Sequence, residues 1–171
     1  VLDAWELFAS TVDVSKIIPI TYMNSSAAIK AFVGEHGGAV CTSSNAKEVI
    51  EWGLAKGEHI LFIPDQHLGR NTAYAMGYTQ DDCFLYDPRT SSKKDLDNIK
   101  SSTFWLWKGH CSVHQRFRPE HIHNFRNEYE NGIVVVHPET RNEVVQLADV
   151  VKKKKKIIDY VEQAPSGTVI G

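Results

Sequence analysis

The fold of this chain is decided by the stretch Trp105-Leu106-Trp107-Lys108-Gly109-His110-Cys111-Ser112-Val113-His114. The apolar run at 103–107 predicts a short buried strand, which breaks at Gly109 and is followed by Cys111 between His110 and His114. In an α/β sheet, ligands collect at the carboxyl ends of strands, where loops and helix N-termini converge. A thiol beside two imidazoles at such a turn indicates a metal or cluster ligand, or a nucleophile with its base. The alternative is a buried cysteine near surface histidines, because one cysteine does not make a metal site.

Composition excludes several classes of protein. The 171 residues, of which 42% are apolar, can bury one good core or two small ones. A formal net charge of -2 gives no bulk attraction to nucleic acid or to an anionic membrane. No apolar run approaches the roughly 18 residues that span a bilayer, and no signal peptide opens the chain. Three widely spaced cysteines argue against a disulfide framework and predict a reducing, cytoplasmic location.

Strands and helices are predicted to alternate along most of the chain. Apolar or β-branched runs predict strands at 17–22, 39–42, 59–63, 83–86 and 103–107. Helices are predicted between them from apolar residues at helical spacing, with caps at Ser26, at Ser44 or Asn45, and at Asp65. This alternation predicts an α/β fold in which helices cover both faces of parallel sheets, giving three-layer αβα units.

The last third of the chain repeats the pattern incompletely. Residues 133–136 form a continuous β-branched run of the kind buried on both faces of a parallel sheet. Thr140 with Glu143 predicts a capping box for the next helix. Residues 168–170 predict a closing strand with no helix after it.

Three parts are therefore predicted: a helix of a preceding element at 1–13, an α/β domain at 14–110, and a partial α/β domain at 111–171. The long polar connection at 87–102 and the closing strand without its helix indicate one complete and one partial unit. The chain is interpreted as an excised fragment of a longer protein.

Polar side chains follow several of the predicted strands directly. They are Tyr22, Asn24, Ser43, Ser44, Pro64 with Asp65, Cys111, His137 and Glu139. Serine, asparagine and aspartate at these places are also good helix caps, so each of them has a purely structural alternative. Capping does not explain Tyr22, His137 or Glu139. Because Pro138 stiffens the backbone between His137 and Glu139, this pair suits general acid–base work on a carbonyl substrate, although a surface pair at a strand end remains open.

Five motifs in order resemble one enzyme family. They are Tyr22-Met23-Asn24-Ser25-Ser26-Ala27-Ala28-Ile29-Lys30-Ala31, Cys41-Thr42-Ser43-Ser44-Asn45-Ala46, Pro64-Asp65-Gln66-His67-Leu68-Gly69, Gly109-His110-Cys111-Ser112-Val113-His114 and His137-Pro138-Glu139. Together they resemble quinolinate synthase, the iron–sulfur enzyme of NAD biosynthesis, in the version found in Bacillus-type bacteria. The resemblance runs over nearly the whole chain, and the order of the motifs makes it specific.

The resemblance implies an activity, a cofactor and partners. Members of this family condense iminoaspartate with dihydroxyacetone phosphate and lose water and phosphate, which makes them transferases that form quinolinate. Functional coupling to L-aspartate oxidase is expected. The implied fold is three similar α/β domains around a pseudo-threefold axis. A [4Fe-4S] cluster at the centre is held by three cysteines, one from each domain, and its open iron acts as a Lewis acid.

The resemblance also assigns roles to residues of this chain. Cys111 matches the middle cluster ligand, whereas Cys41 matches a cysteine that is not a ligand. His137 and Glu139 match the pair that handles substrate hydroxyl and proton transfers, and Tyr22 is expected to join them as a catalytic residue.

Substrate binding is assigned on the same basis. Tyr22 and Asn24 match residues that position substrate carboxylates, and Ser43 matches a residue at the anionic end of the substrate. His137 and Glu139 are expected to contact the substrate as well.

The chain also departs from the family pattern. The first and third cluster cysteines of the family match no position in this chain, so only one of three ligands is present. Many members have a cysteine where this chain has Thr140. The family's phosphate-binding Gly-Ser-Thr turn falls near Lys152–Lys154, within a run of five lysines that normally indicates a solvated surface.

Two other functions stay open at this point. One is a non-catalytic α/β module that binds a small phosphorylated or dicarboxylate ligand at its strand ends. The other is a zinc-dependent hydrolase that uses Cys111, His114 and His137.

Overall fold

The structure is a computed structural model that describes the backbone of residues 1–171 and all side chains except those of Lys93 and Leu96. The chain forms two compact units, residues 1–109 and residues 110–171. Each unit is described by itself. The assignment of these parts to the middle and third domains of a longer enzyme stays a prediction.

The first unit is built on a parallel sheet of five strands. Its elements are α1 (Leu2–Ala9), β1 (Ile17–Tyr22), α2 (Ala27–Glu35), β2 (Ala39–Cys41), α3 (Ala46–Leu54), β3 (His59–Ile63), α4 (Gln66–Ala75), β4 (Cys83–Tyr86), α5 (Leu96–Ser101) and β5 (Phe104–Trp107). The strand order is β2-β1-β3-β5-β4, and every neighbouring pair is parallel. The predicted strands are therefore confirmed, with only their ends adjusted in β2 and β5.

Helices cover both faces of this sheet, as predicted. Alternate residues of a strand point to opposite faces, so Phe62 and Leu106 join one hydrophobic cluster while Leu61 and Trp105 join another. Helices α3 and α4 pack on the first face, whereas α1 and α5 pack on the second. The three-layer αβα architecture is confirmed, whereas the pseudo-threefold arrangement of a longer enzyme stays a prediction.

Strand β5, which lies between β3 and β4, is held in place by the packing of Trp105 and by the turn that follows it. The ring of Trp105 stacks on Phe8 at 4.6 Å and on His59 at 4.7 Å, and its indole N–H donates to the carbonyl of Ile99 at 2.8 Å. Beyond the strand, a Cβ added at Gly109 would collide with the carbonyl oxygen of Pro64. The chain therefore needs glycine where this strand ends.

The second unit is smaller and contains a two-stranded parallel sheet. Its elements are α6 (Pro119–Glu128), β6 (Val135–Val136), α7 (Asn142–Val145), β7 (Val150–Val151) and α8 (Lys154–Glu162). Ile122, Val134 and Val144 form its buried core. In the part of the chain that the structure describes, no helix combines the length and the apolar character needed to cross a membrane.

The prediction of a continuous strand at 133–136, buried on both faces, was wrong in its bounds and in its burial. Only Val135 and Val136 lie in β6, and both are half-buried. The backbone N–H of Val134 donates instead to the carboxylate of Asp149 at 2.8 Å. The Asp149 carboxylate therefore occupies the N–H of Val134, which a continuous strand would use to pair with its neighbouring strand. The predicted closing strand is reduced to a single parallel bridge between Ile133 and Ile170.

The predicted capping box of Thr140 and Glu143 was also wrong. The residue that precedes α7 is Arg141, and α7 is a single helical turn. Thr140 is buried, and its N–H donates to the carbonyl of His137 at 2.9 Å. Thr140 therefore belongs to the turn that carries His137 and Glu139 rather than to a helix start.

Candidate functional site

Three predicted site residues lie at one edge of the first unit's sheet. Tyr22 is the last residue of β1 and pairs with Cys41, the last residue of β2. Asn24 and Ser43 each follow two residues after their strand, so the parallel register places them at the same edge. Tyr22 is buried, Ser43 is half-buried and Asn24 is exposed. The structure therefore brings these residues to one edge, as the sequence predicted.

Local hydrogen bonds shape the loop that carries Ser43. The side-chain oxygen of Asn45 accepts from the backbone N–H of Thr42 at 2.7 Å and from its hydroxyl at 2.9 Å. The hydroxyl of Thr42 in turn accepts from the N–H of Ser44 at 3.1 Å. Asn45 precedes α3 but makes no side-chain cap there, because its oxygen closes the loop instead.

Asp65 has the structural role predicted for it. Its carboxylate accepts from the N–H groups of His67 at 2.8 Å and Leu68 at 3.0 Å, which caps α4. Only 4% of Asp65 is exposed. The carboxylate therefore occupies the donors at this helix N-terminus that an anionic ligand would otherwise use.

In the second unit, Cys111 and His114 share one side of a tight turn. The N–H of Gln115 donates to the carbonyl of Cys111 at 3.1 Å, and a short 3-10 helix runs over His114–Arg116. Residues three apart in such a turn lie on the same face. Cys111 and His114 are both half-buried.

The loop after β6 fixes the tautomer of His137. The backbone N–H of Glu139 donates to Nδ1 of His137 at 3.3 Å, so this nitrogen is the acceptor and the neutral ring carries its proton on Nε2. Burial, with a contribution from the nearby His114, lowers the pKa of His137 to about 4. His137 is therefore neutral near pH 7, with an N–H available at Nε2.

Glu139 lies between two imidazoles. One carboxylate oxygen is 3.4 Å from Nδ1 of His114, and the other is 3.7 Å from Nδ1 of His137. The two rings stack with centroids 5.0 Å apart and planes inclined by 11°. Glu139 is 4% exposed, so its carboxylate is held in a fixed, largely water-free position. The predicted closeness of His137 and Glu139 is confirmed.

Sequence reasoning named His114 and grouped it with His137, on which its ring stacks, but did not group it with Glu139. The zinc alternative grouped Cys111, His114 and His137. In the structure, one donor atom each from Cys111, His114 and Glu139 lie within 4.8 Å of one another. The i, i+3 spacing from Cys111 was the signal for His114, whereas nothing local in the sequence links His114 to Glu139.

The other two cysteines have a different environment. Cys41 and Cys83 are buried in the first unit, and burial raises their pKa to about 12 and about 11. Both are therefore protonated thiols near neutral pH. The expectation that Cys41 is not a cluster ligand stays a prediction.

The lysine run lies at a strand-to-helix turn. Lys153 precedes α8 without a side-chain cap, and Lys154 and Lys155 open the helix. Lys156 forms an ion pair with Asp159 at 3.3 Å. The turn before α8 therefore carries lysine side chains, where the resemblance leads us to expect the hydroxyl donors of a phosphate loop.

Comparisons with known proteins agree on one family. A family model described as "Quinolinate synthetase A protein" matches residues 3–170. Quinolinate synthase of Acidobacterium capsulatum is 52% identical over 167 residues, which is 96% of this chain and 45% of that protein. Quinolinate synthase of Rhodopirellula baltica is 47% identical over 96% of this chain, and that of Bacillus subtilis is 49% identical over 89%.

The chain spans less than half the length of these curated relatives, 45%, 43% and 41% respectively. The match nevertheless includes the sheet edge at Tyr22 and the cluster of Cys111, His137 and Glu139, since the family model extends from residue 3 to residue 170. The chain belongs to the quinolinate synthetase A family.

Proposed function

We propose that this chain is the part of a quinolinate synthase that carries one cluster ligand and the acid–base pair. The reaction condenses iminoaspartate with dihydroxyacetone phosphate to quinolinate in NAD biosynthesis, within the cytoplasm. The observation that carries the proposal is the grouping of Cys111, His137 and Glu139 in one unit of a chain that belongs to this family. L-aspartate oxidase is proposed as the source of iminoaspartate, since that substrate is the oxidised form of aspartate.

The residues present fit one third of a [4Fe-4S] site. Cys111 is half-buried at a turn, whereas Cys41 and Cys83 are buried in the core of the first unit, so Cys111 is the cysteine proposed as the ligand. Two further cysteines would come from outside this chain. When bound, the cluster would supply an iron Lewis acid for a substrate hydroxyl or carboxylate.

His137 and Glu139 are proposed to handle the protons. His137 is neutral, and its Nε2–H can donate a hydrogen bond to a substrate oxygen without carrying a positive charge. Glu139 is held by the turn at 137–140, and its carboxylate can accept a proton from carbon or nitrogen and return it to a leaving hydroxyl. Burial of Glu139 keeps water away from this exchange.

The sheet edge of the first unit is proposed to bind substrate anions. The phenol of Tyr22, the amide of Asn24 and the hydroxyl of Ser43 are hydrogen-bond donors that suit carboxylate and phosphate oxygens. The register of β1 and β2 aligns the three residues at one edge, so a small dianion can reach several of them together.

A chimera tests the proposal. This chain replaces the matching segment of the Acidobacterium capsulatum relative, and quinolinate is measured after anaerobic cluster reconstitution. Turnover is expected, and Glu139→Gln is expected to lower it by roughly 10²-fold or more while the cluster absorbance persists. Cys111→Ser is expected to remove the cluster, whereas Cys83→Ser is the matched control that keeps it. A folded chimera with an intact cluster but no quinolinate, or near-normal turnover of the Glu139→Gln form, would contradict the proposal.

A further inference from the structure

The loop that carries Ser43 is closed by the side chain of Asn45. Its oxygen accepts from both the N–H and the hydroxyl of Thr42, at 2.7 and 2.9 Å. Because a backbone N–H can only donate, the amide atom of Asn45 that faces it is the oxygen. The N–H of Asn45 donates in return to the carbonyl of Thr42 at 3.3 Å. Thr42 and Asn45 therefore hold each other across the loop from both ends.

The hydroxyl of Thr42 extends these bonds to the middle of the loop. It accepts from the N–H of Ser44 at 3.1 Å while it donates to Asn45. The N–H groups of Thr42, Ser44 and Asn45 are thus all engaged within the loop. Among the residues that the structure describes, the N–H and the hydroxyl of Ser43 have no partner. The loop therefore leaves both donors of Ser43 available to an anion.

The side chain of Asn45 has this loop as its place of action. Asn45 precedes α3, but its side chain makes no cap hydrogen bond there. The residue is exposed, so shortening its side chain opens no cavity in the core. A change at Asn45 is therefore expected to alter the shape of the loop while the fold persists.

The same pair of hydrogen bonds occurs at the opposite edge of the sheet. In the turn before β4, the carboxylate of Asp82 accepts from the N–H of Thr79 at 2.7 Å and from its hydroxyl at 2.9 Å. The spacing of three residues and both distances are those of Thr42 and Asn45. Since the strands are parallel, the turn before β4 lies at the amino edge, whereas Ser43 lies at the carboxyl edge. This turn therefore has the same hydrogen bonds without the proposed substrate site.

We propose that Thr42 and Asn45 are positioning residues that hold Ser43 for a carboxylate or phosphate group of the substrate. The inference rests on the proposed function, because that function supplies the anion. Thr42 and Asn45 act through the peptides next to Ser43 and need not touch the substrate. Without their hydrogen bonds the loop samples other conformations, and substrate binding has to order it again. This cost falls on binding rather than on the chemical step, so KM rises while kcat changes little.

Kinetics of the chimera with the Acidobacterium capsulatum relative, after cluster reconstitution, test the inference. Thr42→Val removes the hydroxyl at nearly constant shape. It is expected to raise the KM of at least one substrate about 10-fold, with kcat within about twofold. Asn45→Ala is expected to act in the same way, whereas Thr42→Ser keeps the hydroxyl and the original KM. Thr79→Val is the matched control, because it breaks the equivalent hydrogen bonds at the amino edge and is expected to leave KM and kcat unchanged.

A double variant checks that Thr42 acts through Ser43. Thr42→Val combined with Ser43→Ala is expected to raise KM no further than Ser43→Ala alone. Additive effects, the same KM for Thr42→Val and Thr79→Val, or a Thr42→Ser form as weak as Thr42→Val would overturn the inference.

The outcome for the proposed function is read separately. An unmodified chimera that makes no quinolinate contradicts that function. The dissociation constant of labelled quinolinate, measured by equilibrium dialysis on the same proteins, then decides the inference by the same ratios. Failure of the unmodified chimera to bind quinolinate would overturn the inference as well.

Discussion

At the scale of single residues, the neutral state of His137 is a consequence of burial. The His137 side chain is 14% exposed. The ring of His114 and the carboxylate of Glu139 face it. The N–H of Glu139 also occupies Nδ1, so a proton added there would break a backbone hydrogen bond. These features make the protonated form unfavourable in the folded state.

This predicts a pH-dependent stability. The unfolded chain protonates His137 near the ordinary value of 6.5, whereas the folded chain does so only near its lowered pKa of about 4. As pH falls from 6.5 to 4, the unfolded state gains protons first, so the free energy of unfolding decreases by up to about 3 kcal/mol. Urea denaturation across this range in the presence of a chelator measures it.

His137→Gln is expected to remove most of this decrease, because it removes the imidazole whose pKa is lowered. His123→Gln removes an exposed histidine and serves as the control. An identical pH dependence in the wild type and in His137→Gln would contradict the lowered pKa.

Two glycines give opposite predictions for the same substitution. At Gly109, a Cβ would collide with the carbonyl oxygen of Pro64, so Gly109→Ala forces the end of β5 away from the turn before α4. A destabilisation of roughly 1–3 kcal/mol is expected. Gly34 lies within α2 with nothing near its added Cβ, so Gly34→Ala is expected to stabilise the chain by about 0.5–1 kcal/mol. Thermal unfolding of both variants checks the signs, and a shared sign would refute the argument.

At the scale of elements, caps differ in strength according to burial and geometry. Asp65 caps α4 with two short hydrogen bonds from a buried position, whereas Ser26 caps α2 with one bond of 3.3 Å at the surface. Asp65→Ala is expected to cost about 1–2 kcal/mol, and Ser26→Ala about 0.5 kcal/mol. Chemical denaturation of the two variants compares them directly. Equal losses would show that burial does not strengthen the Asp65 cap.

The elements that the sequence predicted well are those whose signal is local. β1, β3 and β4 have the predicted bounds, because β-branched or aromatic runs between turn residues are typical of strands in parallel sheets. The spacing of His137 and Glu139 about Pro138 likewise predicted their closeness.

Other elements depend on contacts between residues far apart in the chain. Strand β6 is short because Asp149 captures the N–H of Val134, and no pattern near residue 134 indicates that partner. The approach of His114 to Glu139 has the same origin, since two separate turns create it. Threonine is a residue type that often caps helices. In this chain, however, the N–H of Thr140 donates to the carbonyl of His137 within the turn that precedes α7.

At the scale of the whole molecule, the two units differ in the size of their buried hydrophobic cores. Residues 1–109 bury apolar side chains on both faces of a five-stranded sheet, with Phe62 and Trp105 among those that are fully buried. Residues 110–171 have a core built on Ile122, Val134 and Val144, together with a two-stranded sheet. A two-stranded sheet is marginal in water, and chains of this size rarely hold a sufficient core alone.

The difference predicts how the units behave when they are separated. The fragment 1–109 is expected to unfold in one cooperative thermal transition, because its sheet, helices and both core faces lie within it. The fragment 110–171 is expected to show weak, non-cooperative melting and few dispersed amide resonances, because its buried core is too small to offset the entropy of ordering its backbone. Circular dichroism and amide proton spectra of each fragment, with the 171-residue chain as reference, provide the test. A sharp transition in the fragment 110–171 would mean that its core is sufficient and that the prediction is wrong.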